Sequence, residues 1–389
     1  MAADAKPVIS GTGISQIGRR TGIAAIDLTE QAAAEAISEA GLTPADIDDV
    51  ISLGDTPTAE AAARLGIARV TDRPVPFGPR GLLEPVAAAC EAVTAGGARH
   101  VLVYRTVQMI GGTVDADSST ESKDAAKSGG RPGPMADSEI GHLLAAHAYS
   151  AANWLAMHCR KHMDLYGTTK EQLGWLAINA RRNAARNPLA VYRDPITMDD
   201  YLSARPISSP FGLLDCDVPV DGSIALVISA PGHRGDTPHP AVTVEAYGGA
   251  SGAGGWTRRL DYPAMAAVDA AADMWSRTTL TPADVQLAEL YDGFSFLTLS
   301  WLEALGFCAP GEGGPFVEGG QRISLDGVLP LNTYGGQLSA GRMHGYWVLH
   351  EACRQLRGLA GPTALPRRPE VAVVSAGGGP IAGCVLLTC

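Results

Sequence analysis

No C-x-x-C pair occurs in the sequence, no run of basic residues, and no apolar stretch long enough to span a membrane. The first absence removes zinc-ribbon and dithiol redox motifs. The second, with a formal net charge of -11, argues against a nucleic-acid binder, which needs a basic face to neutralise phosphates. The third removes a transmembrane helix. The segment Met1–Gly13 also lacks the basic-then-apolar order of a secretory signal. Seven cysteines, an odd number and widely scattered, suit a reduced, cytoplasmic setting. Lysine is scarce: Lys6, Lys123, Lys127, Lys161 and Lys170 are the only ones, and none falls in an apolar segment that would hold a Schiff-base amine. Gly11–Gly13 lacks the third glycine of a dinucleotide fingerprint and reads as a turn. His158 and His162, four apart beside Cys159, with His142 and His147 upstream, offer the one spacing that suggests helical metal ligands. The expectation is that no metal and no cofactor is bound.

What is present is a large apolar fraction, 46%, in 389 residues, enough for two domains or one large layered unit. A repeat organises it. Leu42-Thr43-Pro44-Ala45-Asp46-Ile47 matches Leu280-Thr281-Pro282-Ala283-Asp284-Val285. Each copy follows an alanine-rich amphipathic helix and precedes a short apolar run that reads as a strand. A further helix and strand follow in each half: "EPVAAACEAVTAGG" with "HVLVYR", and "GYWVLHEACRQLRG" with "EVAVVS". A duplicated α/β unit is the economical explanation. The expected halves are 1–240, with a helical loop subdomain at about 112–207, and 241–389. Within that subdomain 111–141 is polar and reads as a mobile loop, and "TTKEQ" reads as a capped helix start.

The motifs "YGTTKEQLGWLAINARRNAARNP", "LLDCDVPVDGSIALV", "YDGFSFLTLSWLEALGFC", "GEGGPFVEGG", "LPLNTYGGQLSAGRMHG" and "VSAGGGPIAG" occur in this order. Taken together, the chain resembles the thiolase superfamily, nearest the thiolase part of sterol carrier protein X and its lipid-transfer-protein relatives, over nearly its whole length. The resemblance implies a thiolase-like five-layer αβαβα fold of two duplicated halves with a helical loop subdomain, a homodimer core and acyl-CoA thioester substrates.

A working thiolase needs three groups that are missing here. Its nucleophilic cysteine would fall near Arg80 or Gly81. Its activating histidine step "GHP" is "GRM", with Arg342. Its proton-exchanging "CxGGG" cysteine is Ser375. Serine or arginine cannot replace a low-pKa thiolate. Members of the superfamily without these groups resemble steroid side-chain aldolases, which cleave a β-hydroxyacyl-CoA by a retro-aldol reaction. They carry a "YD-x-F" tyrosine, here Tyr291, and an "HG" step, here His344-Gly345. Many have a second tyrosine where this chain has Arg342.

The resemblance therefore implies a carbon–carbon lyase, an aldolase of steroid or lipid side-chain degradation. Tyr291, His344 and Arg342 are its expected catalytic residues, with Asp292, Tyr346, Gly378 and Gly379 binding substrate. Phenol has a pKa near ~10 in water, so a tyrosine base needs a neighbouring cation; Arg342 is expected to favour the phenolate or to bind developing negative charge directly. His344 would donate to the thioester oxygen or return a proton. Backbone N–H groups of Gly377, Gly378 and Gly379 would add donors. A separate partner chain with a zinc ribbon and OB-fold, forming a heterotetramer, is also implied. Two other readings stand beside this one: a non-catalytic acyl-CoA-binding scaffold, and an acyltransferase with a relocated nucleophile. Cys90, Cys353 and Cys216 read as structural, as do Asp221 and Ser375.

Overall fold

The computed structural model describes residues 6–53, 56–68, 70, 80–110, 138–232, 239–251 and 255–389. The polar loop expected at 111–141 falls largely outside them. The first half runs β1 (Val8–Ile14), α1 (Ala25–Glu39), β2 (Asp49–Ser52), α2 (Thr58–Leu65), α3 (Glu84–Thr94) and β3 (His100–Gln108). A helical region follows: α4 (Glu139–Ala145), α5 (Ala151–Tyr166), α6 (Lys170–Ala184), α7 (Met198–Leu202) and a small hairpin, β4 (Pro206–Ser208) with β5 (Phe211–Gly212). β6 (Asp221–Ser229) closes the half. The second half runs β7 (Val242–Ser251), α8 (Ala266–Trp275), β8 (Leu287–Glu289), α9 (Ser295–Ala304), α10 (Gly313–Val317), α11 (Tyr346–Arg357), β9 (Val371–Gly378) and β10 (Ile381–Thr388).

Eight strands form one mixed sheet in the order β2-β3-β6-β1-β7-β10-β9-β8. Read outward from its centre, each half repeats the same pattern. The first strand is antiparallel to the last, the last antiparallel to the third, and the third parallel to the second. The halves join where Val8 and Ile9 pair with Thr243 and Val242. The duplicated "LTPAD" stretch makes the same one-turn helix twice, with Asp46 or Asp284 accepting from the N–H and hydroxyl of Thr43 or Thr281.

Alternation along the strands sets the layers. Leu102, Tyr104, Ala225 and Val227 pack with α1 and α2. Val101, Val103, Ile224, Leu226 and Ile228 point the other way, into the central core with α3. α11 touches strands of both halves, and α8 lies on β7 and β10. The succession is helix, half-sheet, helix pair, half-sheet, helix: the expected five-layer fold. The outer helices press hard on their strands. A Cβ at Gly13 would lie 2.1 Å from the Ala32 carbonyl oxygen on α1, and one at Gly248 would lie 2.2 Å from that of Ala270 on α8. The "GTG" segment is thus not a turn but the middle of β1, glycine-rich because a helix backbone lies against it. A buried ion pair, Arg357 Nη1 to Glu39 Oε2 at 3.0 Å, ties α11 to α1, and Arg357 also donates to the Ile9 carbonyl at 2.7 Å.

The "TTKEQ" cap forms as expected: Thr169 accepts from the Gln172 N–H, and the Gln172 side chain accepts from the Thr169 N–H. Among the described residues no helix is long and apolar enough to cross a membrane.

Candidate active site

Three segments converge beside the end of β8. The first is the turn Leu290–Phe294. Asn332 clamps it, accepting from the Leu290 N–H at 2.7 Å and donating to the Leu290 carbonyl at 2.9 Å. Ser375 on β9 accepts from the Tyr291 N–H at 3.0 Å, so the residue that replaces a thiolase cysteine positions the tyrosine backbone. The Tyr291 ring folds over Gly293, where a Cβ would lie 2.7 Å from Cε1 and 3.4 Å from the hydroxyl. Glycine at 293 leaves room for the ring.

The second segment is the turn 332–345, where left-handed backbone at Asn332 (φ 49°), Gly335 (φ 107°), Gly341 (φ 144°) and Gly345 (φ 89°) brackets one π-helical turn, Gly336–Ala340. The Asp292 carboxylate accepts the Gln337 N–H at 2.7 Å and the Leu338 N–H at 3.3 Å. Asp292 is 1% exposed. Asp292, expected to bind substrate, thus turns its lone pairs to this loop.

The third segment, Leu213–Val220, laces the other two together. Asp217 N–H donates to the Gly293 carbonyl, Val218 N–H to the Gln337 carbonyl at 2.8 Å, and Arg342 N–H to the Val218 carbonyl at 2.8 Å. Asp215 anchors the segment from below, accepting from Ser295 at 2.6 Å, from the Gly212 N–H at 2.7 Å and from Tyr201, and pairing with Lys170. That pairing occupies the Lys170 amine. Asp221 is structural as expected, accepting from the N–H groups of Thr21, Met109 and Ile110.

The charged groups of the site follow from this lacing. Arg342 Nη1 lies 3.3 Å from Asp217 Oδ1, and its Nε and Nη2 point to the Met109 sulfur. Burial raises the Asp217 carboxyl to about 6 even though Arg342 pulls it down. Burial also raises the Tyr291 phenol far above its ordinary value; the Asp217 charge adds to this, and Arg342 opposes it without prevailing. Of the tasks expected of Arg342, holding a phenolate is the one this environment disfavours. Its charge is taken by Asp217, and Tyr291 stays a neutral phenol at physiological pH. His344 receives an N–H···N contact from Arg105 on β3, Nη2 to Nδ1 at 2.8 Å, and its backbone N–H donates to the Gln337 side-chain oxygen at 3.2 Å. Burial and then the cations Arg105 and Arg342 hold the imidazole well below its usual pKa, so it is neutral. The buried Gln337 Nε2 finds no partner of good hydrogen-bond geometry among the described residues, yet lies near enough to the phenol to favour its ionised form.

Tyr346 is 0% exposed at the start of α11, with no partner for its hydroxyl among the described residues. Expected to bind substrate, it stands behind the site with its hydroxyl enclosed. Gly378 and Gly379 were also expected to bind substrate. They begin the hairpin between β9 and β10, packed against Leu297 and Trp256, and the Gly379 N–H points to the Met265 sulfur 3.2 Å away. Sequence reasoning missed Asp217, Arg105 and Gln337. Asp217 lies inside the "LLDCD" segment, flagged only for its cysteine; nothing in the spacing singled out Arg105.

Six of the seven cysteines are disfavoured as thiolates. Burial pushes Cys90, Cys216, Cys308 and Cys353 up to about 12, and Cys159 and Cys384 higher still. Arg80, where a thiolase nucleophile would stand, is paired with Glu84 and Glu91 and packed on Gly249 and Gly383. The histidines of α5 turn to other tasks: His158 lies between the Pro263 and Trp256 carbonyls, and His162 between Glu303 and Thr168. Two surface clefts of about 350 and 500 Å³ run along α5, lined by Arg160, Asp164 and Ser209. The site itself borders Met109 and Ile110, the last described residues before 111–137.

The chain as a whole matches known proteins over nearly all of its length. A thiolase C-terminal domain-like family model covers residues 248–387. The chain is 34% identical, over 97% of its length and 98% of the other's, to a 17-hydroxy-3-oxo-4-pregnene-20-carboxyl-CoA lyase of Mycobacterium tuberculosis. It is 32% identical, over 97% of both, to a steroid side-chain-cleaving aldolase of Thermomonospora curvata. The solved Ltp2–ChsH2(DUF35) aldolase superposes with a TM-score of 0.86 at 30% identity, over 99% of this chain and 98% of that one. The chain belongs to the thiolase superfamily, among its lipid-transfer-protein-type side-chain aldolases.

Proposed function

We propose that the protein cleaves the Cα–Cβ bond of a β-hydroxyacyl-CoA carrying a steroid or similarly bulky lipid side chain, by proton transfer alone. The observation that carries this reading is the lacing of three segments that brings the Asp217–Arg342 pair to the turn holding Tyr291, where burial keeps the phenol protonated and raises the Asp217 carboxyl to about 6. A base with a pKa near working pH and an acid that stays protonated are what retro-aldol cleavage needs. Asp217 takes the proton of the β-hydroxyl. The electron pair of that O–H becomes the new carbonyl, and the Cα–Cβ pair becomes the thioester enolate. The enolate carbon takes its proton from Tyr291. The proton held by Asp217 then returns to the Tyr291 oxygen, which restores both groups. Arg342 keeps Asp217 ionised against burial, and the Gln337 amide and the His344 ring stand as neutral donors for the enolate oxygen.

The reaction is redox-neutral and moves only protons, so it calls for no cofactor besides the CoA of its own substrate. Its products are a ketone or aldehyde and a shortened CoA ester, a step of side-chain degradation in lipid metabolism. The solved aldolase contains a DUF35 chain, and we extend this to a separate OB-fold, zinc-ribbon partner here, arranged as a heterotetramer about a homodimer core in the cytoplasm. An acyltransferase with a relocated thiol is disfavoured by the raised cysteines.

The test is co-expression with a DUF35-type partner, followed by mass analysis of a β-hydroxyacyl-CoA mixture. Release of a ketone or aldehyde with a shortened CoA ester is expected. Shortening of a β-ketoacyl ester that depends on free CoA would overturn the reading. Tight acyl-CoA binding without any turnover would replace it by the scaffold reading.

A further inference from the structure

Arg105 sits on β3 in the first half of the chain, and His344 in the glycine-rich turn of the second. Their contact is a short one, Nη2 to Nδ1 at 2.8 Å. A guanidinium has five N–H donors, no acceptor, and does not lose its proton in proteins. Nδ1 must therefore accept, so the ring carries its one proton on Nε2. We propose that Arg105 is a positioning residue that locks His344 in the neutral Nε2–H tautomer and thereby makes it a fixed hydrogen-bond donor to the thioester oxygen.

The surroundings agree. His344 adopts a left-handed backbone, φ 50°, between Gly341 and Gly345. Gly345 lies against Ala376 of β9, where a Cβ would come within 2.4 Å of the alanine methyl. The His344 backbone N–H is held by Gln337. Both backbone and ring are thus fixed, the ring from the opposite half of the molecule. The charged and titratable groups around the ring are Arg105 from β3 and Arg342 from the turn itself, with the phenol of Tyr346 from α11 also in the field of Arg105. Beside Gly345, β9 contributes Ala376 and the residue just before α3 is Leu83, neither of which carries a charge. Among the described residues, two cations and no carboxylate face the imidazole, which disfavours a second proton.

The consequence separates two roles for the histidine. A neutral imidazole with Nδ1 occupied by a donor cannot accept the β-hydroxyl proton through Nε2, which already carries one. Nor can it surrender that proton, since the anion left would be far too basic. His344 is then a hydrogen-bond donor only, and acid–base work falls to Asp217 and Tyr291. This inference rests on the aldolase reading for its meaning, but not for its geometry.

The experiment uses the full chain with its DUF35-type partner, labelled with ¹⁵N in the histidine rings. His344 is assigned by its loss in His344→Gln. In the unaltered protein the His344 Nδ1 shift should be that of an unprotonated ring nitrogen and should stay so as pH falls to 5. In Arg105→Leu the two ring nitrogens should average and the ring should titrate nearer the ordinary range. Arg105→Lys, which keeps a donor and a charge, should restore much of the original pattern. Turnover in Arg105→Leu should fall about 100-fold in kcat with KM little changed, in line with loss of one oriented oxyanion donor, and a new acidic limb should enter its pH profile. An unchanged His344 tautomer in folded Arg105→Leu overturns the proposal whatever happens to turnover. A changed tautomer with unchanged turnover upholds the lock and removes His344 from the aldolase reading.

Discussion

Replacing Asp217 by Asn separates the chemistry from the fold more cleanly than any other change at this site. Asparagine keeps the shape and the backbone donation to Gly293, but it cannot take a proton. A positioned general base contributes about 10²–10⁴-fold to a rate, so kcat should fall by that factor, or about 2.7–5.5 kcal/mol in barrier. Stability should move the other way. A carboxyl held at about 6 against an ordinary 3.8 binds more protons folded than unfolded, and so loses up to about 3 kcal/mol of folding free energy as pH rises through that window. The amide of the variant escapes this loss. It gives up the pairing with Arg342, which is 31% exposed and so worth about 1 kcal/mol or less. The net expectation is a Tm for Asp217→Asn above that of the unaltered protein at pH 8 and no higher at pH 4. The unaltered enzyme's kcat should rise with pH through about 6, where the carboxylate forms. The assays are rapid-quench quantification of the released carbonyl product and thermal melts at the two pH values. Turnover within tenfold of the original in a folded Asp217→Asn would refute the assignment of the base.

Tyr291→Phe should abolish cleavage, with at least a 100-fold fall in kcat, while the melting curve changes little; undiminished turnover by mass analysis would discard the acid. Gly293→Ala sets a methyl 2.7 Å from Tyr291 Cε1 and should cost most of the activity by turning the ring, read as a fall in kcat with near-native circular dichroism. Gly13→Ala places its methyl 2.1 Å from the Ala32 carbonyl oxygen, far from the site, and should destabilise by about 1–3 kcal/mol or more, measured by denaturant midpoint. Glu289→Gln concerns a buried carboxyl raised well above its ordinary value by burial and then by Glu351, with which it shares Thr333. Since a raised folded pKa means stability is lost as pH climbs through it, the variant should melt higher than the original at pH 9 and the same at pH 4.

Much of the fold was legible because it is written in long-period features. The twin "LTPAD" turns announced duplication, and alternation in "HVLVYR" and "SIALVIS" announced buried strands. Gly11 and Gly13 misled for a physical reason: in isolation paired glycines signal a turn, and only the packed structure shows α1 lying 2.1 Å from where a side chain would begin. The motifs pointed to Tyr291 and His344, but they carry no sign of the burial that sets the protonation states of both. A cation two residues before His344 suggested a phenolate at Tyr291; in the fold Arg342 spends its charge on Asp217, and desolvation decides the matter. The side chains of Asp292 and Tyr346, both expected at the substrate, are buried, which their place beside motif residues does not reveal.

Two of the residues missed act across a long sequence gap. Asp217 reaches Arg342 from 125 positions away and Arg105 reaches His344 from 239. The duplication explains why such distant pairs meet. The central helices α3 and α11 lie between two half-sheets, so the C-terminal ends of strands from opposite halves open onto one place. A thiolase uses that meeting point to set sulfur against histidine. Here the same crossing sets guanidinium against imidazole and carboxylate against phenol. Loss of the thiolate also removes the reason for the site to depress a thiol pKa. Burial instead raises Asp217 toward neutrality and holds Tyr291 protonated, with Arg342 keeping the carboxylate ionised. The low dielectric that would disable a cysteine nucleophile is the same condition that supplies a competent carboxylate base and a standing proton donor. On this argument a change that hydrates the site without touching any catalytic group should lower the pH at which kcat reaches half its plateau while weakening the maximal rate, because both effects have one cause.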